Sequence, residues 1–250
     1  MSTPVALQLY SVREQMNADL DGALSRLRRI GLRHVETAGT AGLEAGQFNR
    51  RLDRADLSVM SAHMALPTRA TLDQTVQELR VLGCRYNMSS SSAEPFTTLD
   101  GIKEQAAQFE EAAGMLAPHG IRLGLHNHWW EMGIVENRLG IEHFLEMAPS
   151  VLLQLDVYWA ANFGRVDVPG FIRAWAGRIP MLHVKDGPLM EGKPHTAVGK
   201  GRMNIPACVQ AADPRVLEWL VIELDSCETD MLQAVEDSFR YLVDTGLGTA

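Results

Sequence analysis

The chain lacks any uninterrupted apolar stretch of about 18 residues, the length a bilayer-spanning helix requires. Its N-terminal ten residues hold no basic stretch followed by a long apolar one, so no secretory leader is expected and a cytoplasmic location is predicted. Cysteine is scarce. Cys84, Cys208 and Cys227 are far apart and odd in number, which argues against a disulfide framework and suits buried thiols in a reducing compartment. Positive charge is also short: 23 Lys and Arg against 31 Asp and Glu give a formal net charge of −8 at pH 7, which repels phosphate backbones and disfavours a nucleic-acid partner. No low-complexity linker divides the chain, and the serines at 89–92 read as a strand exit. The turn after the first apolar run, Ser11-Val12-Arg13-Glu14, is no glycine-rich phosphate loop, which counts against an open dinucleotide-binding sheet.

What is present fits one globular unit. Apolar residues make up 46% and charged residues 22% of the 250 residues, ordinary usage at the length of a single (β/α)₈ barrel, and one domain over 1–250 is expected. Short apolar runs at 5–10, 34–37, 58–63, 85–89, 121–128, 151–157, 181–185 and 217–225 alternate with segments of helical period, clearest at 19–30, 100–116 and 231–243. Gly31, Gly83 and Gly120 each end a helical segment just before a strand. Eight strands alternating with helices through right-handed crossovers close most simply into an α/β (β/α)₈ TIM barrel.

In such a barrel the functional side chains gather where strands end and βα loops begin. The candidates there are Gln8 and Tyr10 on the first run, Glu36 on the second, His63 on the third, His126 and His128 on the fifth, and Asp156 on the sixth. His183 and Lys185 follow on the seventh, and Glu223 and Asp225 on the eighth. A lone histidine at such a place is more often a satisfied core group than a ligand. Carboxylates gathered from several strands in one barrel mouth, however, repel and raise one another's pKa unless a cation neutralises them. One divalent ion is the economical answer, with Asp156, His183 and Glu223 as ligands. Oxygen donors with one or two imidazoles suit Mn²⁺, Mg²⁺, Co²⁺ or Zn²⁺, and the absence of cysteine from the set argues against a structural zinc.

The segment His126-Asn127-His128-Trp129-Trp130-Glu131 offers more than one ligand for the fifth strand. His126 and His128 alternate with Asn127 and so share a face. Glu131 lies just beyond and is favoured as the ligand if it folds back, which leaves His126 and His128 for substrate or proton transfer. Gln8, Tyr10, Glu36 and His63 are expected to meet the substrate. The Trp129-Trp130 and Tyr158-Trp159 pairs suit a sugar pocket, with Trp159 in it, a contact between copies of the chain in a homo-oligomer, or the core. Lys200 and Arg202 form either a phosphate or carboxylate site or a solvated charged loop.

Across nearly its whole length the sequence resembles the sugar phosphate isomerase/epimerase superfamily of xylose-isomerase-like barrels. The matching blocks are Leu7-Gln8-Leu9-Tyr10-Ser11-Val12-Arg13, His126-Asn127-His128 with Glu131, Leu155-Asp156-Val157-Tyr158-Trp159, His183-Val184-Lys185-Asp186-Gly187, Val198-Gly199-Lys200-Gly201 and Glu223-Leu224-Asp225. Each is weak alone, and together they are specific. The resemblance implies a metal held by Glu131 or His126 with Asp156, His183 and Glu223. It also implies a proton shuttle by two glutamates in the epimerases, a pattern from which this chain departs by placing His126 at the fifth-strand position. Lys200 and Asn204 depart from the family's Gly-Glu-Gly and following Asp.

The expected chemistry is abstraction of a proton next to a carbonyl of a small sugar-like substrate through an enediolate. His126, His128 or Glu223 would take the proton, and Lys185 would stabilise the oxyanion. Expulsion of a β-hydroxyl from the same enediolate would make the site a lyase acting on a keto-sugar or keto-inositol. A nuclease with several zinc ions and a non-catalytic sugar-binding barrel are the remaining readings.

Overall fold

The computed structural model describes residues 3–250, so Met1 and Ser2 of the expected 1–250 domain lie outside the described residues. The expected barrel is what forms. Its strands are β1 (Thr3–Gln8), β2 (His34–Ala38), β3 (Ser58–His63), β4 (Tyr86–Ser90), β5 (Arg122–His126), β6 (Leu152–Asp156), β7 (Met181–Val184) and β8 (Trp219–Ile222). Each pairs in parallel with the next, and β8 returns to β1 with Val221 opposite Ala6, which closes the ring. Helices α1 (Leu20–Ile30), α2 (Ala45–Arg54), α3 (Leu72–Leu82), α4 (Leu99–Leu116), α5 (Gly140–Met147), α6 (Val168–Trp175), α7 (Ile205–Ala211) and α8 (Met231–Asp244) follow the strands in turn.

Local signals set these bounds. Asp19 caps α1 by accepting the Gly22 N–H at 3.0 Å, and Thr98 does the same for α4 from Gly101 at 3.1 Å. Gly31 and Gly83 end α1 and α3 with φ of 116° and 72°, in the left-handed region where glycine avoids the Cβ clash. Five apolar runs extend past the strands they contain. Tyr10 falls on the 3₁₀ turn Leu9–Val12, and Lys185, Glu223 and Asp225 stand beyond the last paired residues of β7 and β8.

Strand alternation sorts the side chains into two populations. Leu153 and Leu155, Leu182 and Val184, Leu220 and Ile222 point outward and are buried against the helices in the main core. The inward residues form layers. In the lower layer Ala6, Met60, Tyr86, Met88, Leu152, Met181 and Val221 make a separate apolar cluster. Gly124 belongs to that layer by necessity, since a Cβ there would lie 2.4 Å from Met88 Sδ. One step further along the strands the inward residues turn polar: Gln8, Glu36, Gln154 and His183, then His63, His126, Asp156, Lys185 and Glu223. The apolar layer is thus a floor on which a polar site is built at the C-terminal end.

Candidate metal centre and substrate cavity

Glu36 organises the first polar layer. It is completely buried and accepts hydrogen bonds from Gln8 Nε2 (2.5 Å), Gln154 Nε2 (2.5 Å), His183 Nε2 (2.9 Å) and the Ser61 hydroxyl. Burial alone would push its carboxyl up, but His183 first and Ser61 last outweigh it and the net direction is down. Because Gln154 turns its amide nitrogen to Glu36, its oxygen faces His126 Nδ1 at 3.0 Å and accepts from it. His126 therefore carries its proton on Nδ1 and presents the lone pair of Nε2 upward. Burial, then His183 and His63, pushes its pKa far down, so the ring is neutral.

Above this layer, His126, Asp156, His183 and Glu223 bring one donor atom each to within 4.8 Å of all the others, and all four residues are buried. Asp156 has its Oδ1 occupied by the N–H groups of Tyr158 (3.0 Å) and Trp159 (2.9 Å), while its buried Oδ2 receives no directed hydrogen bond. His183 is held at both nitrogens, Nε2 against Glu36 and Nδ1 2.9 Å from Glu223 Oε2. Burial opposes a charged imidazole, yet Glu36 and Glu223 outweigh it and raise its pKa to about 10. Asp156 is raised to about 6 by burial, with Lys185 opposing. For Glu223 the sum goes the other way: burial raises it, and Lys185 and His183 pull it well below the usual range.

The donor set fits a divalent ion. Two carboxylates match its charge, the Nε2 of His126 is free, and Glu36 is a carboxylate placed to orient His183 from behind, the arrangement usual for metal-bound imidazole. Donors on one ion at about 2.1 Å sit no more than about 4.2 Å apart, so the cluster, spread to within 4.8 Å, would contract to hold one.

Over the cluster opens a cavity of about 530 Å³ lined by Gln8, Tyr10, Ala38, His63, Ser90, His126, His128, Trp159, Lys185, Glu223 and Asp225. Lys185 is buried at its floor, its Nζ 3.1 Å from Asp156 Oδ2, 3.0 Å from Glu223 Oε2 and 3.0 Å from Asp225 Oδ1, and the three carboxylates raise its pKa against the opposing effect of burial. His128 stacks on Trp130 at 4.2 Å between ring centroids, and burial followed by Lys185 lowers its pKa to about 4. His63 accepts or donates at 2.8 Å to Ser90.

Most residues singled out in the sequence meet here, with three differences of position. Glu36 lies mid-strand beneath the site with no exposed surface, so its partners are Gln8, Ser61, Gln154 and His183. Glu131 is buried on the turn Trp130–Met132, where Oε2 accepts the His128 N–H at 2.8 Å and Oε1 has no partner; the fifth-strand member of the four-residue cluster is His126. Arg202 is absent from the cavity lining. It lies with Lys193 and Lys200 around a second cavity of about 640 Å³ between the loops after β7 and β8, walled largely by Pro188, Met190, Pro194 and Ala197 and separated from the first by His195, which meets Asp225 and Trp159.

Sequence reading passed over Gln154, Ser61 and Asn127. The signal for Gln154 was an amide two residues before Asp156 inside an apolar run, hence on the same inward face. Asn127 accepts the Asp156 N–H at 2.9 Å and donates to the Asp156 carbonyl at 3.4 Å, clipping the end of β5 to that of β6. Asp186, wholly buried, accepts four backbone N–H groups, from Gly187 and Met203 on Oδ1 and from Gly199 and Gly201 on Oδ2, and so draws the loop after β7 into a ring.

A closed (β/α)₈ barrel whose C-terminal mouth gathers imidazoles and carboxylates around one point defines the class. A family model described as "Xylose isomerase-like TIM barrel" matches residues 24–244, and the chain belongs to that family. No curated protein sequence matches significantly. Among solved structures, a sugar phosphate isomerase/epimerase from Parabacteroides distasonis superposes with a TM-score of 0.80 at 22% identity over 97% of this chain and 94% of that one. A probable 3-DHS dehydratase, AsbF, from Bacillus anthracis gives 0.74 at 12% identity over 96% and 98%. The IolI protein with a bound zinc atom also gives 0.74 at 12% identity, over 99% and 98%. At these identities the likeness establishes the fold.

Proposed function

We propose that the chain is a divalent-metal-dependent isomerase or epimerase that removes a proton from a carbon next to the carbonyl of a sugar-like substrate. The observation that carries the reading is the four-residue cluster of His126, Asp156, His183 and Glu223 lying directly beneath a cavity lined by neutral histidines and Trp159. That IolI, a neighbour of the same fold, binds a zinc atom is in keeping with a metal-dependent reading.

Once bound, the ion would supply Lewis-acid polarisation of the substrate's carbonyl and hydroxyl oxygens. The protein's own groups do the rest. His126 and His183, held from behind by Gln154 and Glu36, fix the geometry of the floor. Trp159 offers an apolar face to the sugar ring, and Tyr10 and His63 stand on other sides of the rim. His128 is assigned to proton removal because it is neutral, lines the cavity and is steadied by Trp130. His128, protonated in the first step, is the group that can return the proton to the enediolate, whereas Glu223, held as a carboxylate by Lys185 and His183, stands three strands around the ring as a second base. The Lys185 ammonium lies where negative charge on the enediolate oxygen would develop.

A second reading, elimination of a β-hydroxyl, uses the same residues. Two imidazoles at the fifth strand favour it, since an imidazole that has taken a proton can return it to a leaving hydroxyl. The likeness to a probable dehydratase is in keeping. A nuclease is disfavoured by the net charge of −8 and by a ligand set sufficient for one ion.

Solvent deuterium exchange into ketoses, ketose phosphates and keto-inositols tests the proposal. The metal-loaded protein should label at least one, and H128Q should lose the exchange while keeping its metal. No exchange across the panel would sink the carbon-acid mechanism, and three zinc ions per chain by elemental analysis would favour the nuclease.

A further inference from the structure

The floor of the cavity already holds a cation. Asp156 has a single oxygen to offer any partner, Oδ2, because Oδ1 is taken by the Tyr158 and Trp159 N–H groups. Lys185 Nζ stands 3.1 Å from that oxygen. Glu223 Oε2, the atom that faces His183, is 3.0 Å from the same ammonium. Lys185 is itself buried and has Trp159 on one side, with Nζ 5.3 Å from the ring centroid. Of its three carboxylates only Asp225 lies outside the four-residue cluster, and it meets Nζ with both oxygens, at 3.0 and 3.1 Å. Asp225 is also at the rim, with about a third of its side chain exposed.

Two cations cannot share the same lone pairs at contact distance, and in a poorly polarisable interior their repulsion is large. From this we infer that Lys185 and the metal ion compete for Asp156 Oδ2 and Glu223 Oε2, and that metal entry drives the ammonium back onto Asp225. Lys185 therefore sets the affinity of the centre: it keeps the carboxylates neutralised when no ion is bound and takes a toll on every ion that enters. The inference rests on the metal centre proposed above and concerns how tightly it binds.

The test is calorimetric titration of Mn²⁺, Zn²⁺ and Mg²⁺ into the full chain stripped with chelator, all at one pH. K185M keeps the length of the side chain without its charge and should bind at least about tenfold more tightly than the wild type. D225N removes the refuge and should bind about tenfold more weakly, and the K185M/D225N double variant should return to the K185M value, because Asp225 matters only through Lys185. Circular dichroism reports whether each stripped protein is folded. Should K185M not fold without metal, K185Q, which removes the charge but keeps a polar head among the carboxylates, takes its place in both the single and the double variant. Equal or weaker binding by K185M, or unchanged binding by D225N, overturns the competition and leaves the metal centre standing. If no variant and no wild-type protein binds any of the three ions, the metal centre falls and the competition with it.

Discussion

Replacing Glu36 by glutamine should damage the protein although nothing at the cavity surface changes. Glu36 is wholly buried and takes four side-chain donors, from Gln8, Ser61, Gln154 and His183. Glutamine preserves the volume but turns an NH₂ group toward neighbours that are all donors, and it removes the charge opposite His183. Breaking one side of a buried ion pair costs about 3–5 kcal/mol. Rotation of the Gln8 and Gln154 amides recovers part of that, so the chelator-stripped E36Q protein should be about 3 kcal/mol less stable than the wild type. For a chain of this size that is a fall of about 6–12 °C in Tm. The same change frees His183 from its orienting acceptor and should weaken metal binding about 10- to 100-fold. Urea unfolding of both stripped proteins at pH 7 and a metal titration read the two effects. A difference under about 1 kcal/mol, together with metal affinity within about threefold, would refute the claim that Glu36 is the keystone of the layer.

Other expectations follow from single contacts. Glu131 has its pKa pushed up to about 8 by burial, so the folded state favours the protonated acid. Its contribution is fully present below the ordinary value near 4.5 and is lost as pH rises toward 8. E131Q mimics the neutral acid and should match the wild type at pH 5 yet gain on it by about 1 kcal/mol per pH unit above that, a trend urea titrations at pH 5 to 8 would detect. A variant less stable than wild type across that range would show that Glu131 is held as a carboxylate. D186A removes the acceptor of four backbone N–H groups and should expose residues 187–203 to limited proteolysis while metal content is retained; resistance equal to wild type would count against the anchor. G124A drives a Cβ to 2.4 Å from Met88 Sδ and should cost about 1–3 kcal/mol, measured by thermal unfolding, with M88A in the same chain relieving part of the loss.

The barrel could be read because its signals recur: eight apolar runs, the segments of helical period between them, and the glycine ends of α1 and α3. Which residues face inward was equally legible, since alternation places Gln154 with Asp156 and His183 with Lys185. Depth was not. Glu36 and Asp156 both face the interior, but the stagger of neighbouring strands sets one a layer below the other, and no local pattern encodes that offset. Whether His126 or Glu131 stands in the four-residue cluster depended on the path of the turn Trp130–Met132, where one oxygen of the Glu131 carboxylate accepts the His128 N–H. Gln154 escaped notice because an amide does not titrate, although its orientation fixes the proton on His126. Arg202 was recognised as a cation near the mouth, but the loop that carries it opens onto a neighbouring cavity.

That loop has a further consequence. Both its beginning, Gly187, and its end, Met203, are tied to the same buried carboxylate, which immediately follows Lys185. Changes within it that spare His195 leave the end of β7 where it is, because the tether sets that end; His195 is the exception, since its Nδ1 accepts the Asp225 N–H at 3.1 Å and Asp225 in turn holds Lys185. The stretch 188–194 behaves as an interchangeable cartridge: its residues can be rewritten to meet a new substrate group while the chemistry on the barrel floor stays as it was.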